Sequence, residues 1–168
     1  MALFDVSKYQ TPQKDEVDLK ATLKNFQIFI QAYQNSREKV GQPRMPKVTQ
    51  SYSLVPPSTA NVGPNGLENL MIQREDDVAE FQELHSLFLK GYAGISHPIK
   101  PEITERKRSI FFNRYILGLS VSDASEKTWI SRDVVIEESA EAVIQFCHSL
   151  GLVISKKEVE PFIEQIID

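Results

Sequence analysis

Cysteine and long apolar runs are scarce in this sequence, and each shortage excludes a class of protein. Cys147 is the only cysteine among 168 residues, so no disulfide can form within the chain. No apolar run approaches the roughly 20 residues that cross a bilayer. The first residues lack the basic segment and apolar run of a secretory signal. We therefore expect a cytoplasmic protein without membrane contact, and we expect Cys147 to be a small core residue.

Residue patterns for metal binding or catalysis are also lacking. His85, His97 and His148 are scattered, with no Cys-x-x-Cys or His-x-x-x-His spacing. No glycine-rich phosphate loop and no Gly-x-Ser-x-Gly motif occurs. The carboxylates lie at the spacing of a solvated helix face. The sequence therefore predicts a protein that is not an enzyme and that uses no metal and no cofactor.

The chain has an ordinary globular composition with an uneven distribution of charge. Apolar residues make up 41% and charged residues 25% of the sequence, and the net charge is −4. The net charge is positive at 1–50 and 99–132, and negative at 51–98 and 133–168. A surface for nucleic acid, if the chain has one, is therefore local and modest.

Two long helices are predicted in the first half of the chain. The first begins at Pro12, which suits a first helical turn, and ends at 36–40 before Gly41. It carries a seam at the coiled-coil period, formed by Leu19, Leu23, Phe26, Ile30 and Tyr33. A proline-rich connector follows at 41–66. The second helix begins near Gly66, has an acidic solvated face and ends near Lys90, because Gly91 and Gly94 follow.

The apolar seam of the first helix has two candidate partners. It can pack on the second helix as a hairpin within the chain, which we favour because a paired helix must bury its stripe. It can also form a homodimer, which would suit an operator with two half-sites.

Three further helices are predicted in quick succession, at 104–117, 121–128 and 132–150. Thr104, Ser120 and Ser131 are the expected N-caps, and Asp123 completes a capping pair with Ser120. A helix, a short helix, a tight turn and a longer helix form the helix-turn-helix plan.

The predicted fold class is all-α, with an N-terminal long-helix hairpin, an extended connector and a C-terminal trihelical helix-turn-helix. We divide the chain into an N-terminal region that includes the connector, the helix-turn-helix, and a tail, at 1–95, 102–152 and 153–168.

The C-terminal third resembles region 4 of sigma factors. Residues 108–117 resemble its first helix, 126–131 its turn, which usually ends in Ile-Ser, and 131–147 its recognition helix. The wider chain resembles the ArpU-type phage transcriptional regulators, which share the Leu-Phe start at 3–4 and the Lys-x-Thr-x-Ser-Tyr-Ser stretch at 47–53. The resemblance implies a DNA-binding regulator of late or lysis genes in phages and prophages of Gram-positive bacteria.

The resemblance also implies a site at the start of the last helix, which would enter the major groove of double-stranded DNA. The side chains expected to reach base edges are Arg132, Asp133, Ile136 and Glu137. Arg132 is the strongest candidate, since arginine pairs bidentately with guanine. The side chains expected to contact the DNA backbone are Ser131, Lys127, Arg106 and Lys107. The alternative is that these bases are ordinary surface charges with local carboxylate partners.

Two features of the proposed site depart from the sigma-factor pattern. Trp129 replaces a glycine at the turn, so we expect either a turn of another shape or a Trp129 that packs into the three-helix core. Glu137, Glu138 and Glu141 make the last helix acidic, and carboxylates that face phosphates oppose DNA binding. This acidity favours a second hypothesis, an interaction module that contacts RNA polymerase or a host regulator with little direct DNA binding.

Overall fold

The computed structural model describes residues 3–42 and 64–156, with backbone alone at 64–71. Within these residues the secondary structure is helical, and the predicted all-α fold class is confirmed. The elements are a 3-10 helix at Val6–Tyr9, α1 at Leu19–Lys39, α2 at Pro64–Gly94, α3 at Pro101–Phe111, a π-helical turn at Phe112–Ile116, α4 at Val121–Thr128 and α5 at Arg132–Ser149. Most of the predicted connector, with the stretch at 47–53, and the tail after Lys156 lie outside the described residues.

The chain forms two compact units. Residues up to Phe26 and from Lys90 onward belong to the first unit, and Gln27–Leu89 belong to the second. The predicted division into a hairpin region, a helix-turn-helix and a tail separates segments by role and stays a prediction.

The start of α1 differs from the prediction, because the helix begins at Leu19 and not at Pro12. Val17, only 1% exposed, forms an antiparallel bridge with Ser155. The Asp18 N–H donates to the Ile154 carbonyl at 2.9 Å, and this pairing keeps the backbone extended where a helix was expected. Asp18 then caps the helix, since its carboxylate accepts from the Ala21 N–H at 3.0 Å.

The end of α2 also differs, because the helix continues through Gly91 to Gly94. The predicted break at Gly91 is therefore wrong. A Cβ atom at Gly91 would lie 2.6 Å from the ring of Phe146, closer than any real contact. The glycine lets the α2 backbone lie directly on this ring, so here it marks close packing and not a helix end.

An aromatic cluster forms the core of the first unit. Phe146 of α5 stacks on Phe111 of α3 with ring centroids 5.1 Å apart. Phe26 of α1 meets the Phe146 ring edge-on at 5.3 Å and the Phe111 ring at 5.6 Å. Cys147 is fully buried next to this cluster, as expected for a core residue, and burial raises the pKa of its thiol to about 12.

The N-cap of α3 is Lys100, so the predicted cap at Thr104 is wrong. Pro101 occupies the first turn because its fixed φ angle is already helical and its missing N–H is not needed there. The Thr104 hydroxyl instead accepts from the backbone N–H of His97 at 2.8 Å. The helix predicted at 104–117 is α-helical only as far as Phe111, and the chain then continues in the π-helical turn.

Helices α3, α4 and α5 pack around a small apolar centre of their own. Ile110, Ala124 and Val135, one from each helix, are fully buried and are covered by half-buried Leu119, Val121 and Ile130. The capping pair before α4 is present, because the Ser120 hydroxyl accepts from the Asp123 N–H at 3.1 Å. This centre positions the turn between α4 and α5.

The second unit contains a buried polar cluster between α1 and α2. Tyr33 stacks on Phe88 at 4.8 Å, and its hydroxyl lies 2.6 Å from Nδ1 of His85. Arg37 is 1% exposed and donates to the Tyr33 hydroxyl at 3.0 Å. A neutral His85 whose Nδ1 accepts the Tyr33 O–H fits this arrangement and the lowered pKa of the ring.

Acidification should weaken the second unit through His85. Burial, aided by the charge of Arg37, lowers the pKa of His85 below its ordinary value of 6.5. As the pH falls, His85 is therefore protonated in the unfolded chain before it is protonated in the folded one. Its contribution to the free energy of unfolding is complete above pH 6.5 and is lost as the pH falls through the pKa of His85 in the folded protein. Urea unfolding of the wild type and of His85→Gln should show a stability gap that narrows between about pH 7.5 and about pH 5. A gap that stays constant would contradict the neutral assignment.

Candidate nucleic-acid interface

The first turn of α5 lies on the surface of the first unit. Arg132, Asp133 and Glu137 are exposed, and Ile136 retains 50% of its accessible surface. The opposite face of the helix is buried through Val135, Ser139, Ala142, Val143 and Phe146. The helix therefore presents the four predicted base-contacting side chains on its open side.

The turn before α5 is fixed by the backbone. Ser131 is the N-cap, and its carbonyl accepts the first helical bond from the Val135 N–H at 3.0 Å. The Ser131 side chain makes no capping hydrogen bond, although serine was predicted to cap in this way. Ser131 itself is exposed.

Arg132 is held in place by α4. Its guanidinium donates to the hydroxyl of Ser122 at 2.7 Å, a contact between the first turn of α5 and the first turn of α4. Sequence analysis did not find Ser122, because its role depends on how the two helices meet. The contact restricts the arginine to fewer rotamers while its remaining donors stay available at the surface.

Two of the three glutamates of α5 turn toward α3. Glu138 is 7% exposed and binds Arg106 bidentately, with Nε lying 2.9 Å from Oε2 and a second contact between the Arg106 NH2 nitrogen and Oε1. Glu141 binds the buried Lys107 at 2.6 Å. The hydrogen bonds to Glu138 raise the pKa of Arg106. These pairs neutralise Glu138 and Glu141, although the Glu141 side chain keeps 43% of its surface exposed; Glu137 is exposed as well.

Arg106 and Lys107 consequently occupy a different environment from Arg132. Both were predicted to contact a DNA backbone, and both are engaged by carboxylates of their own unit. For these two residues the structure matches the alternative of local carboxylate partners. Lys127, by contrast, is exposed at the end of α4.

The pair between Arg106 and Glu138 should be worth more than a surface ion pair, because the carboxylate is buried. Glu138→Ala and Arg106→Ala should each lower the free energy of unfolding by about 1–3 kcal/mol. The loss in the free energy of unfolding of the double variant should be clearly smaller than the sum of the two single losses, since both substitutions remove the same interaction. Chemical unfolding of the four proteins measures this coupling. Additive losses would show that the pair contributes nothing.

Trp129 adopts an uncommon conformation at the turn between α4 and α5. Its φ of 58° and ψ of 35° are left-handed, and it is the single non-glycine residue with positive φ in the described part of the chain. Such a conformation costs a bulky L-residue roughly 1–2 kcal/mol. The side chain is 94% exposed. Both expectations for this residue were therefore wrong: the turn keeps the left-handed geometry, and the indole lies outside the core.

An open groove of about 500 Å³ runs beside this turn, between α3 and the end of α4. It is lined by Glu105, Arg106, Ser109, Asn113, Lys127, Thr128 and Ile130. The groove therefore brings together Lys127 and Arg106, two of the predicted backbone-contacting residues.

The described residues hold no cluster of histidine, cysteine and carboxylate side chains that could bind a metal ion. None of the helices in the described ranges is both long and apolar enough to cross a membrane.

The fold and surface define an all-helical protein in which three packed helices expose the start of the last one. In sequence, the chain is 28% identical over 156 residues to the "Uncharacterized phage-related protein Lin1259/Lin1739" of Listeria innocua, covering 93% of this chain and 99% of the relative. It is 25% identical over 150 residues to "Protein Gp66" of Listeria phage A118, covering 86% of this chain and 94% of the relative. No protein-family model and no solved structure matches the chain. The similarity to phage-related proteins agrees with the phage part of the predicted relationship, and the ArpU assignment stays a prediction.

Proposed function

We propose that this chain is a phage or prophage DNA-binding regulator of transcription, acting on late or lysis genes, whose α5 enters the major groove. The observation that carries the proposal is the open first turn of α5, where Arg132 is exposed and held by Ser122. An exposed arginine at the start of a recognition helix is the group that reads guanine most often. The proposal involves no catalytic step, metal or cofactor.

The ion pairs to α3 reduce the electrostatic objection to this surface. An acidic recognition helix would repel phosphates, but Glu138 and Glu141 are neutralised within the unit. The exposed charges of α4 and of the first six residues of α5 are Asp123, Glu126, Lys127, Arg132, Asp133 and Glu137. Because carboxylates outnumber bases here, we expect weak non-specific binding and an affinity that depends mainly on base contacts.

Selection from a duplex pool tests the proposal without a known operator. The full chain is incubated with double-stranded oligonucleotides that carry a randomised centre, and bound duplexes are amplified over several rounds. The proposal predicts a common sequence that contains at least one required guanine. Recovery of the starting distribution after the final round would contradict it.

A second function, contact with RNA polymerase or another host protein, is favoured by the exposed indole of Trp129. Tryptophan and arginine are enriched among the residues that dominate protein interfaces, and Trp129 lies three positions before Arg132. A pull-down of purified polymerase by the tagged chain, carried out once with DNA present and once after nuclease treatment, distinguishes the two functions. Capture that does not depend on DNA supports the second function.

A further inference from the structure

We infer that Trp129 is a DNA-contacting residue, whose indole lies against a sugar-phosphate strand at the edge of the major groove that α5 enters. The inference rests on the proposed function and extends it to Trp129, which stands at the turn position where the sigma-factor pattern has glycine. A contact of this kind would supply affinity that the charges of this surface do not.

Two unfavourable features coincide in Trp129. A left-handed backbone disfavours every L-residue with a Cβ atom, and glycine would occupy φ of 58° without strain. The same residue leaves its large aromatic side chain 94% exposed, so folding recovers almost none of its apolar surface. A side chain that costs stability without packing inside its own unit is expected to act between molecules.

The backbone around Trp129 is held by hydrogen bonds and packing on both sides. The Trp129 N–H donates to the Ser125 carbonyl, and the Ser125 hydroxyl donates to the Ile130 carbonyl at 2.5 Å. The Ile130 side chain packs against the apolar centre of the three helices. The turn is therefore fixed on both sides of the indole, and a partner that binds here would not have to order the loop.

The position of Trp129 favours DNA as the partner. It precedes the N-cap Ser131 by two residues and Arg132 by three, so a pose that places Arg132 on base edges brings this turn close to the strand that borders the groove, within reach of an exposed indole. The ring can pack on deoxyribose while its N–H donates to a phosphate oxygen. Neither contact needs net positive charge. The nearest exposed charges, on the last turn of α4 and the first of α5, are balanced: Glu126, Lys127, Arg132 and Asp133.

Fluorescence of the native chain tests the contact directly, because Trp129 is the single tryptophan in the sequence. The probe is the duplex recovered by selection, with an unrelated duplex of the same length as comparison. On addition of the selected duplex, the emission should shift to shorter wavelength and become less accessible to acrylamide. Unchanged emission at saturating duplex would overturn the inference.

Substitution gives a second measurement that does not depend on fluorescence. Trp129→Gly should lower the affinity of the protein for the selected duplex about ten-fold. The melting temperature of the variant protein should equal that of the wild type or exceed it, because glycine tolerates the left-handed turn. Ile99→Ala is the matched control, since Ile99 is 82% exposed in a loop before α3, and its affinity should stay unchanged.

The possible failures are distinguishable. If the wild type selects a sequence and Trp129→Gly binds it equally well, the inference is overturned and the proposed function stands. If selection recovers no sequence and no duplex changes the Trp129 emission, both the proposed function and the inference are contradicted. If polymerase is captured by the wild type but lost with Trp129→Gly while duplex binding is unaffected, the indole serves a protein partner, which overturns the DNA contact.

Discussion

Replacing Phe146 with alanine should lower the free energy of unfolding by about 3–5 kcal/mol. Phe146 is fully buried and touches aromatic rings from two other helices, Phe111 at 5.1 Å and Phe26 at 5.3 Å. The α2 backbone at Gly91 covers the same ring and offers no side chain that could fill the cavity. The loss therefore combines the transfer energy of the phenyl ring with an unfilled void.

Chemical denaturation of the variant measures this loss. Glu137→Ala, on the exposed face of the same helix, is the matched control and should change the free energy of unfolding by no more than about 0.5 kcal/mol. A Phe146→Ala loss close to that of the control would show that the aromatic cluster does not hold the unit together.

Replacing Arg132 with alanine should weaken binding to the selected duplex about ten- to one-hundred-fold, as expected for loss of a bidentate contact to guanine. Because Arg132 and its partner Ser122 meet at the surface, unfolding stability should change little. Arg132→Lys keeps the charge but replaces the planar fork of the guanidinium by a single ammonium nitrogen, so it should recover part of the affinity with weaker discrimination at one base pair.

Two further variants separate base contact from general charge. Ser122→Ala should give a smaller loss than Arg132→Ala, because Ser122 only positions the guanidinium. Lys20→Ala removes an exposed lysine on α1 and should leave binding unchanged. Equal binding by Arg132→Ala and the wild type would remove Arg132 from the site.

The parts of the fold that follow from local chemistry were predictable. Ser120 and Asp123 define the start of α4, and its bounds at 121–128 agree with the prediction. The limits of α5 follow from Ser131 and Gly151, whose φ of 69° is left-handed. Each of these signals lies within a few residues of the helix end that it determines.

The errors arose where distant residues decide local structure. The extended segment before α1 depends on pairing with Ile154 and Ser155, far along the chain. Gly91 looks like a helix breaker in isolation, and only its contact with Phe146 shows why a glycine stands there. No periodicity within a single helix contains this information.

The exposure of the first residues of α5 was predictable, but the electrostatics of the candidate site was not. Sequence reasoning placed Arg132 and its neighbours on the open face of α5, where they lie. It did not anticipate that Arg106 would bind Glu138, 32 residues away, since that requires the relative rotation of α3 and α5. That ion pair makes Glu138 part of the packing between α3 and α5.

The central claim, that Arg132 reads a guanine in the major groove, is tested most directly by replacing one atom of the DNA. Each guanine of the selected duplex is replaced in turn by 7-deazaguanine, which lacks the N7 acceptor. The account predicts that one replacement weakens binding of the wild type about ten-fold and does not weaken binding of Arg132→Ala any further. Equal losses in both proteins, or no loss at any guanine, would contradict it.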